Sequence, residues 1–210
     1  MKFPKPTGSL WDFDQGYCRG LRGRLAGVDE AGLGPLAGPV TAAAVVFFDG
    51  RFVEGLNDSK KLTARQREHL FWPIVKNAII GIGIVTEAEI DAINIYQASR
   101  LAMRRAVMAL PHTPAYLLVD GRVHLDLPIA QKAIVKGDAQ SASIAAASII
   151  AKVYRDAWMC HLDDLYPQYS FRKHKGYGTQ LHKASLKQFG PSPVHRRSFA
   201  PVAQLCSNAV

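Results

Sequence analysis

From residue 165 to residue 210 the chain carries no aspartate and no glutamate. The same stretch holds Arg172, Lys173, Lys175, Lys183, Lys187, Arg196 and Arg197, with His174, His182 and His195 among them and Tyr169, Phe171, Tyr177, Phe189 and Phe199 interleaved. An end of the chain without acids has no negative side chain of its own to offset these cations. It favours a polyanion, and nucleic acid above all, in line with a formal net charge of +9. The alternative is a basic surface that serves only solubility. Cysteine is scarce too: Cys18, Cys160 and Cys206 are far apart and form no C-x-x-C. That argues against a disulfide framework and a zinc site and leaves three reduced thiols. No apolar run approaches the ~20 residues that span a bilayer. Residues 1–10 lack the apolar centre of a signal peptide. A cytoplasmic protein with no membrane partner is expected.

What is present is the composition of an ordinary globular protein, 48% hydrophobic and 20% charged. No repeat, linker or low-complexity block interrupts it, so one domain over 24–210 is expected after a loose lead-in, 1–23, rich in Gly, Pro and Arg. Residues 25–28 and 40–48 read as strands around the Gly/Pro-dense stretch 31–39, with Asp49-Gly50 as a hairpin turn. Thr63 with Gln66, and Thr86 with Glu89, are capping-box patterns. The first opens a helix to about Lys76, after which 79–85 is a strand. A helix over 95–110 and strands over 115–119 and 132–136 follow. The longest helix covers 141–165, its Ala/Ile-rich half 144–153 being buried on all sides. A short helix covers 180–189. The fold class is α/β: a mixed sheet flanked by helices, with a basic, helical C-terminal part over 165–210.

Acidic residues recur in one context, the ends of apolar strands: Asp29 and Glu30, then Asp120, then Asp138. Carboxyl ends of neighbouring strands face one crevice, where such side chains converge. Converging carboxylates repel one another unless a hard divalent cation, Mg²⁺ or Mn²⁺, compensates. Beside a nucleic-acid surface, that set fits two-metal phosphodiester hydrolysis. Each acid also has a plainer explanation. Asp120-Gly121 reads as a hairpin turn, because Val123, Leu125 and Leu127 alternate like a returning strand. Asp138 reads as a cap of the long helix, and Asp29-Glu30 as solvated loop acids. Asp156 sits inside that helix and reads as the partner of a basic side chain.

The blocks AGVDEAGLGPLAGPV at 26–40, LNDSKKL at 56–62, LLVDG at 117–121, VKGD at 135–138, SIAAASIIAKVYRD at 143–156, HKGYGT at 174–179 and HRRSFAPV at 195–202 stand in this order. With them the chain resembles the type 2 ribonucleases H, and among these the bacterial ribonuclease HII family, over about 25–202. The resemblance implies an RNase H-like fold and a metal site of Asp29, Glu30, Asp120 and Asp138 holding Mg²⁺ or Mn²⁺. It implies hydrolysis of the RNA strand of RNA–DNA hybrids and cutting 5′ of ribonucleotides in duplex DNA, leaving 5′-phosphate and 3′-hydroxyl ends. The family reads the ribose 2′-OH with the backbone of its Gly-x-Gly turn, here Gly32, Leu33 and Gly34, and with the tyrosine of HKGY, here Tyr177. Glycines admit a close backbone approach, and the 2′-OH distinguishes RNA from DNA. Lys60 and Lys61 are candidate phosphate contacts; a solvated face ahead of a helix is the alternative.

The chain departs from the family at Leu33, where arginine is usual, so a cation beside the substrate is missing. An activity-weakened or inactive hybrid-binding relative is therefore the alternative, although the carboxylates and Tyr177 are retained. Ribonuclease HIII, a transposase or a resolvase would share the fold. The chain leaves no room for the additional N-terminal domain of ribonuclease HIII, and it has the HKGY tyrosine of the HII type. No small-molecule organic cofactor is implied. The tail shows no evident clamp-binding motif, and a monomer is the default.

Overall fold

Side chains on a strand alternate between faces, and one sheet thereby serves two helical layers here. The computed structural model describes residues 9–49, 53–57, 59 and 61–207. Its sheet comprises β1 (Leu25–Ala31), β2 (Val40–Phe47), β3 (Ala78–Val85), β4 (Tyr116–Asp120) and β5 (Ala130–Ile134), in the order β3-β2-β1-β4-β5. β1, β2 and β3 pair antiparallel, whereas β4 runs parallel to β1 and β5 parallel to β4. On β2, Ala42, Ala44 and Val46 join Ala102, Met103 and Ala106 of α4 (Ile95–Met108). Ala43 and Val45 face the other way, onto Ile74 of α2 (Ala64–Asn77) and Ala146 and Ile150 of α5 (Ala142–Leu165). This is the expected mixed sheet flanked by helices. The two capping boxes open α2 and α3 (Glu87–Ile93) as read from the sequence.

α5 crosses β1 at Gly27, where a Cβ would stand 2.1 Å from the backbone of Ser143, so only glycine allows the contact. Wedged between sheet and α2, every residue from Ala142 to Ala151 is buried, which is why the Ala/Ile half of α5 shows no polar stripe. Its N-cap is Ser141, so Asp138 is not the cap.

The lead-in is not loose throughout. Ser9 and Asp12 form a capping box that opens α1 (Leu10–Cys18). Phe13 and Tyr17, one turn apart, pack with Leu25, Leu118 and Ile144. The buried Asp14 carboxylate accepts from Ser141 Oγ at 2.5 Å and from Ser143 N and Oγ at 2.8 and 2.7 Å. Asp120-Gly121 opens a crossover and not a hairpin, because β4 and β5 are parallel. Of the proposed turn at Asp49-Gly50, Gly50 lies outside the described residues; β2 meets β3 only after α2.

The C-terminal part is helical, as expected: α6 (Phe171–His174), α7 (Gln180–Phe189) and α8 (Ala200–Ser207). It packs around Leu36, Ala37, Met159 and Leu162 and pins the Gly/Pro loop after β1. Leu36 N donates to Gly176 O at 2.8 Å, Gly38 N to Val194 O at 2.9 Å, and Arg196 N to Leu36 O at 2.9 Å. Among the described residues no helix is long and apolar enough to cross a membrane.

Candidate active site

The parity of the strands decides where the acids point. On β1, Ala26 and Val28 face α4, so Gly27 and Asp29 face α5; on β4, Leu117 and Val119 face α4, so Leu118 and Asp120 face α5. The parallel pairing Val28↔Val119 then brings Asp29 level with Asp120. Glu30 has the opposite parity, yet at the end of the sheet it reaches the same opening. Asp29, Glu30 and Asp120 line one cavity of about 200 Å³ together with Gly32, Leu33, Gly34, Ser59, Arg67, Ser148, Lys152 and Tyr177.

Asp29 is buried, and burial, followed by the charges of Glu30 and Asp120, holds its carboxyl well above the usual carboxylate range. Opposing this, Ser148 and the Glu30 N–H (2.7 Å) hydrogen-bond to it. Ser148 Oγ lies 2.6 Å from Ser59 Oγ, which ties the segment before α2 to the site. Asp138 is buried on the 3₁₀ turn Gly137–Ala139 and does not line the cavity. Its neighbour Gly137 donates N–H to Asp120 Oδ1 at 2.7 Å, which places Asp138 beside the group. Among the described residues, no three His, Cys, Asp or Glu side chains already stand at metal-ligating spacing.

The Gly-x-Gly loop is built on two buried arginines. Arg155 Nε and Nη2 donate to Pro39 O and Ala37 O, and Nη1 to Lys175 O. Arg196 donates to Gly38 O, to Leu33 O at 3.2 Å and to Gly32 O at 2.7 Å. Burial lowers their pKa values to about 10 and about 9, so both remain cations at neutral pH. Gly32 has φ +103°, and a Cβ on it would stand 2.2 Å from Arg155 Nε, so glycine is required. A trans peptide directs C=O and N–H to opposite sides, and the chain has no cis bonds among the described residues. With the Gly32 and Leu33 carbonyls turned to Arg196, the N–H groups of Leu33 and Gly34 point away from it.

Tyr177 stands across from this loop: a Cβ on Gly34 would lie 3.7 Å from its ring. The Lys152 ammonium is 5.9 Å from the ring centroid and donates to Asp156 at 2.8 Å. Asp156 is thus the ion-pair residue expected, with Arg67 also 4.0 Å away. Lys61 is exposed and does not line the cavity; Lys60 lies outside the described residues. Arg67, Ser148, Lys152, Arg155 and Arg196 belong to the site although they are not among the residues the sequence points to for it. The spacing 148, 152, 155 and 159 along α5 is a one-face helical pattern that would have found some of them.

Several cations of the basic tail are turned inward or paired. Arg196 is fully buried on backbone carbonyls, Arg172 pairs with Asp163 and Asp164, and Lys175 Nζ bonds Cys160 Sγ and Arg172 O. His174, His182 and His195 are buried as well. Lys173, Lys183, Lys187 and Arg197 remain exposed.

The Ribonuclease HII family model matches residues 26–202. The chain belongs to the ribonuclease HII family. It is 55% identical over 190 residues to a ribonuclease HII of Geobacillus kaustophilus, covering 90% of this chain and 72% of that one. The ribonuclease HII of Geobacter sulfurreducens is 51% identical over 201 residues, 95% of this chain and 93% of that one. The ribonuclease H2 structure from Pyrococcus horikoshii superposes with a TM-score of 0.74 at 29% identity, covering 88% of this chain and 98% of that one. The RNase H-like fold and a ribonuclease H activity follow from this membership.

Proposed function

We propose that the chain hydrolyses the RNA strand of RNA–DNA hybrids and cuts 5′ of ribonucleotides embedded in duplex DNA. The products are 5′-phosphate and 3′-hydroxyl ends, and Asp29, Glu30, Asp120 and Asp138 hold divalent metal in a two-metal reaction. The observation that carries the reading is the meeting of Asp29, Glu30 and Asp120 with Gly32, Leu33, Gly34 and Tyr177 around one cavity. The donor set suits a hard cation: it is all oxygen, and the elevated Asp29 carboxyl is relieved by a positive charge among these acids. Metal bound there, Mg²⁺ or Mn²⁺, supplies a water of lowered pKa and charge stabilisation for the leaving oxygen.

The chain's own groups do the recognition. The N–H donors of Leu33 and Gly34 and the Tyr177 hydroxyl face the ribose 2′-oxygen, and Lys152 adds positive potential against the phosphate. Gly137 N–H fixes the Asp120 carboxylate.

The test is cleavage of a DNA duplex holding one ribonucleotide, with and without chelator. Asp120→Asn retains the acceptor for Gly137 N–H, so folding and hybrid binding persist while cleavage is nearly lost. A residual rate above about a tenth of wild type, a barrier change under ~1.4 kcal/mol, would overturn the metal-ligand role.

A further inference from the structure

Tyr177 is 43% exposed, and its backbone is held on both sides. Its N–H donates to His174 O at 2.9 Å, and its carbonyl accepts from Thr179 N at 2.8 Å and meets His182 Nδ1 at 2.9 Å. His182 Nε2 lies 3.0 Å from His195 Nε2, and His195 Nδ1 lies 3.0 Å from Ser192 N.

These partners fix both tautomers. An amide N–H only donates, so His195 Nδ1 accepts from Ser192 and the proton of neutral His195 sits on Nε2. His182 Nε2 therefore accepts, which leaves its proton on Nδ1, facing a carbonyl that only accepts. The relay closes without a mismatch, from Ser192 N–H through His195 and His182 to Tyr177 O. Burial keeps both rings neutral, lowering His182 to about 4 and His195 to about 3. The His174 ring stacks on His182 with centroids 4.5 Å apart and receives Gly176 N–H on Nδ1.

We infer that His182, oriented by His195, is a positioning residue for Tyr177 in ribonucleotide recognition. The inference rests on the proposed role of Tyr177. The Tyr177 carbonyl already accepts from Thr179 N–H, so two imidazoles in series are not needed to satisfy it. What they add is direction. His195 and Arg196 are adjacent, and Arg196 holds the Gly32 and Leu33 carbonyls. One short segment thus sets both sides of the ribose site, the glycine loop through Arg196 and Tyr177 through His195 and His182.

Imidazole ¹³C and ¹⁵N shifts of the wild-type protein at neutral pH read the tautomers directly. The expected result is Nδ1–H for His182 and Nε2–H for His195; an Nε2–H His182 overturns the inference, whatever any variant does. Kinetics on the single-ribonucleotide duplex supply the second arm. His182→Leu lowers kcat/KM by roughly tenfold. His182→Asn, which presents an N–H where Nδ1 stood, restores most of it. In a Tyr177→Ala background His182→Leu costs nothing further, because it acts through Tyr177. Fully additive losses beside an impaired Tyr177→Ala overturn the positioning role alone. A silent Tyr177→Ala overturns the ribose reading, and the inference with it.

Discussion

Arg196 Nη2 donates to the carbonyl of Gly32 at 2.7 Å, joining residues 164 positions apart. The same guanidinium reaches Leu33, Gly38 and Pro39, so one fork orders the whole turn. Lysine keeps the charge but not the planar fork. Arg196→Lys leaves buried carbonyls unpaired and should destabilise the fold by on the order of 2 to 3 kcal/mol. Below the unfolding range, KM for a single-ribonucleotide duplex should rise more than kcat falls. Thermal unfolding and steady-state kinetics check this, and an unchanged KM in the folded variant would disprove the link between Arg196 and the turn.

The sequence made Asp29 and Asp120 legible because both follow short apolar runs, and strand ends gather by topology. Capping boxes at Thr63 and Thr86 gave helix starts for the same reason: their partners lie three residues away. What failed was long-range and polar. Asp14 lies in a short helix, and its partners Ser141 and Ser143 are far along the chain. Arg196 counted as a surface cation, since composition cannot say which arginine faces inward. The tail is acid-free in sequence, but Asp91, Asp163 and Asp164 approach it in space.

The histidine relay makes stability depend on pH. His182 and His195 have folded pKa values of about 4 and about 3 against 6.5 unfolded, so unfolded chains bind more protons between these limits. Their contribution is full above the unfolded value and is lost as pH falls through the folded ones. Facing them are each other and His174, and Asp163 in turn faces His174. Asp14, raised to about 6 by burial, titrates in the opposite sense. The comparison is therefore between variants: denaturant stability from pH 7 to pH 4.5 should fall less in His182→Asn than in wild type. Equal falls would mean that His182 does not titrate in the unfolding transition.

Of the tail's exposed cations, Arg172 is committed to Asp163 and Asp164, which leaves Lys173, Lys183, Lys187 and Arg197 for the duplex. At roughly −0.9 in log–log slope per phosphate neutralised on B-form DNA, they account for a salt dependence of at most about −4. Lys183→Glu with Lys187→Glu, both on α7, should flatten the slope of hybrid binding measured by titration from low to moderate salt. A slope that does not respond to these substitutions would place the duplex on another face.

Leu33 is 41% exposed beside Gly34 and lines the cavity, while its own carbonyl is tied to Arg196. A longer side chain therefore has solvent to enter, and the backbone stays anchored whatever it carries. Leucine offers no donor to a substrate phosphate, whereas arginine offers a permanently charged fork. A hydrogen bond to a charged group contributes about 1.5 to 3 kcal/mol, which corresponds to roughly ten- to a hundred-fold in affinity. Leu33→Arg should raise kcat/KM on a duplex with one ribonucleotide by about that factor. The gain should appear mainly in KM, because the contact exists before and during bond cleavage alike. Preference for ribonucleotide over deoxyribonucleotide should not change, since that reading is the role proposed for the N–H groups of Leu33 and Gly34 and the Tyr177 hydroxyl. If Leu33→Arg instead left KM unmoved while the protein folded normally, the phosphate would not pass over this turn, and the substrate path drawn across Gly32 to Gly34 would have to be abandoned.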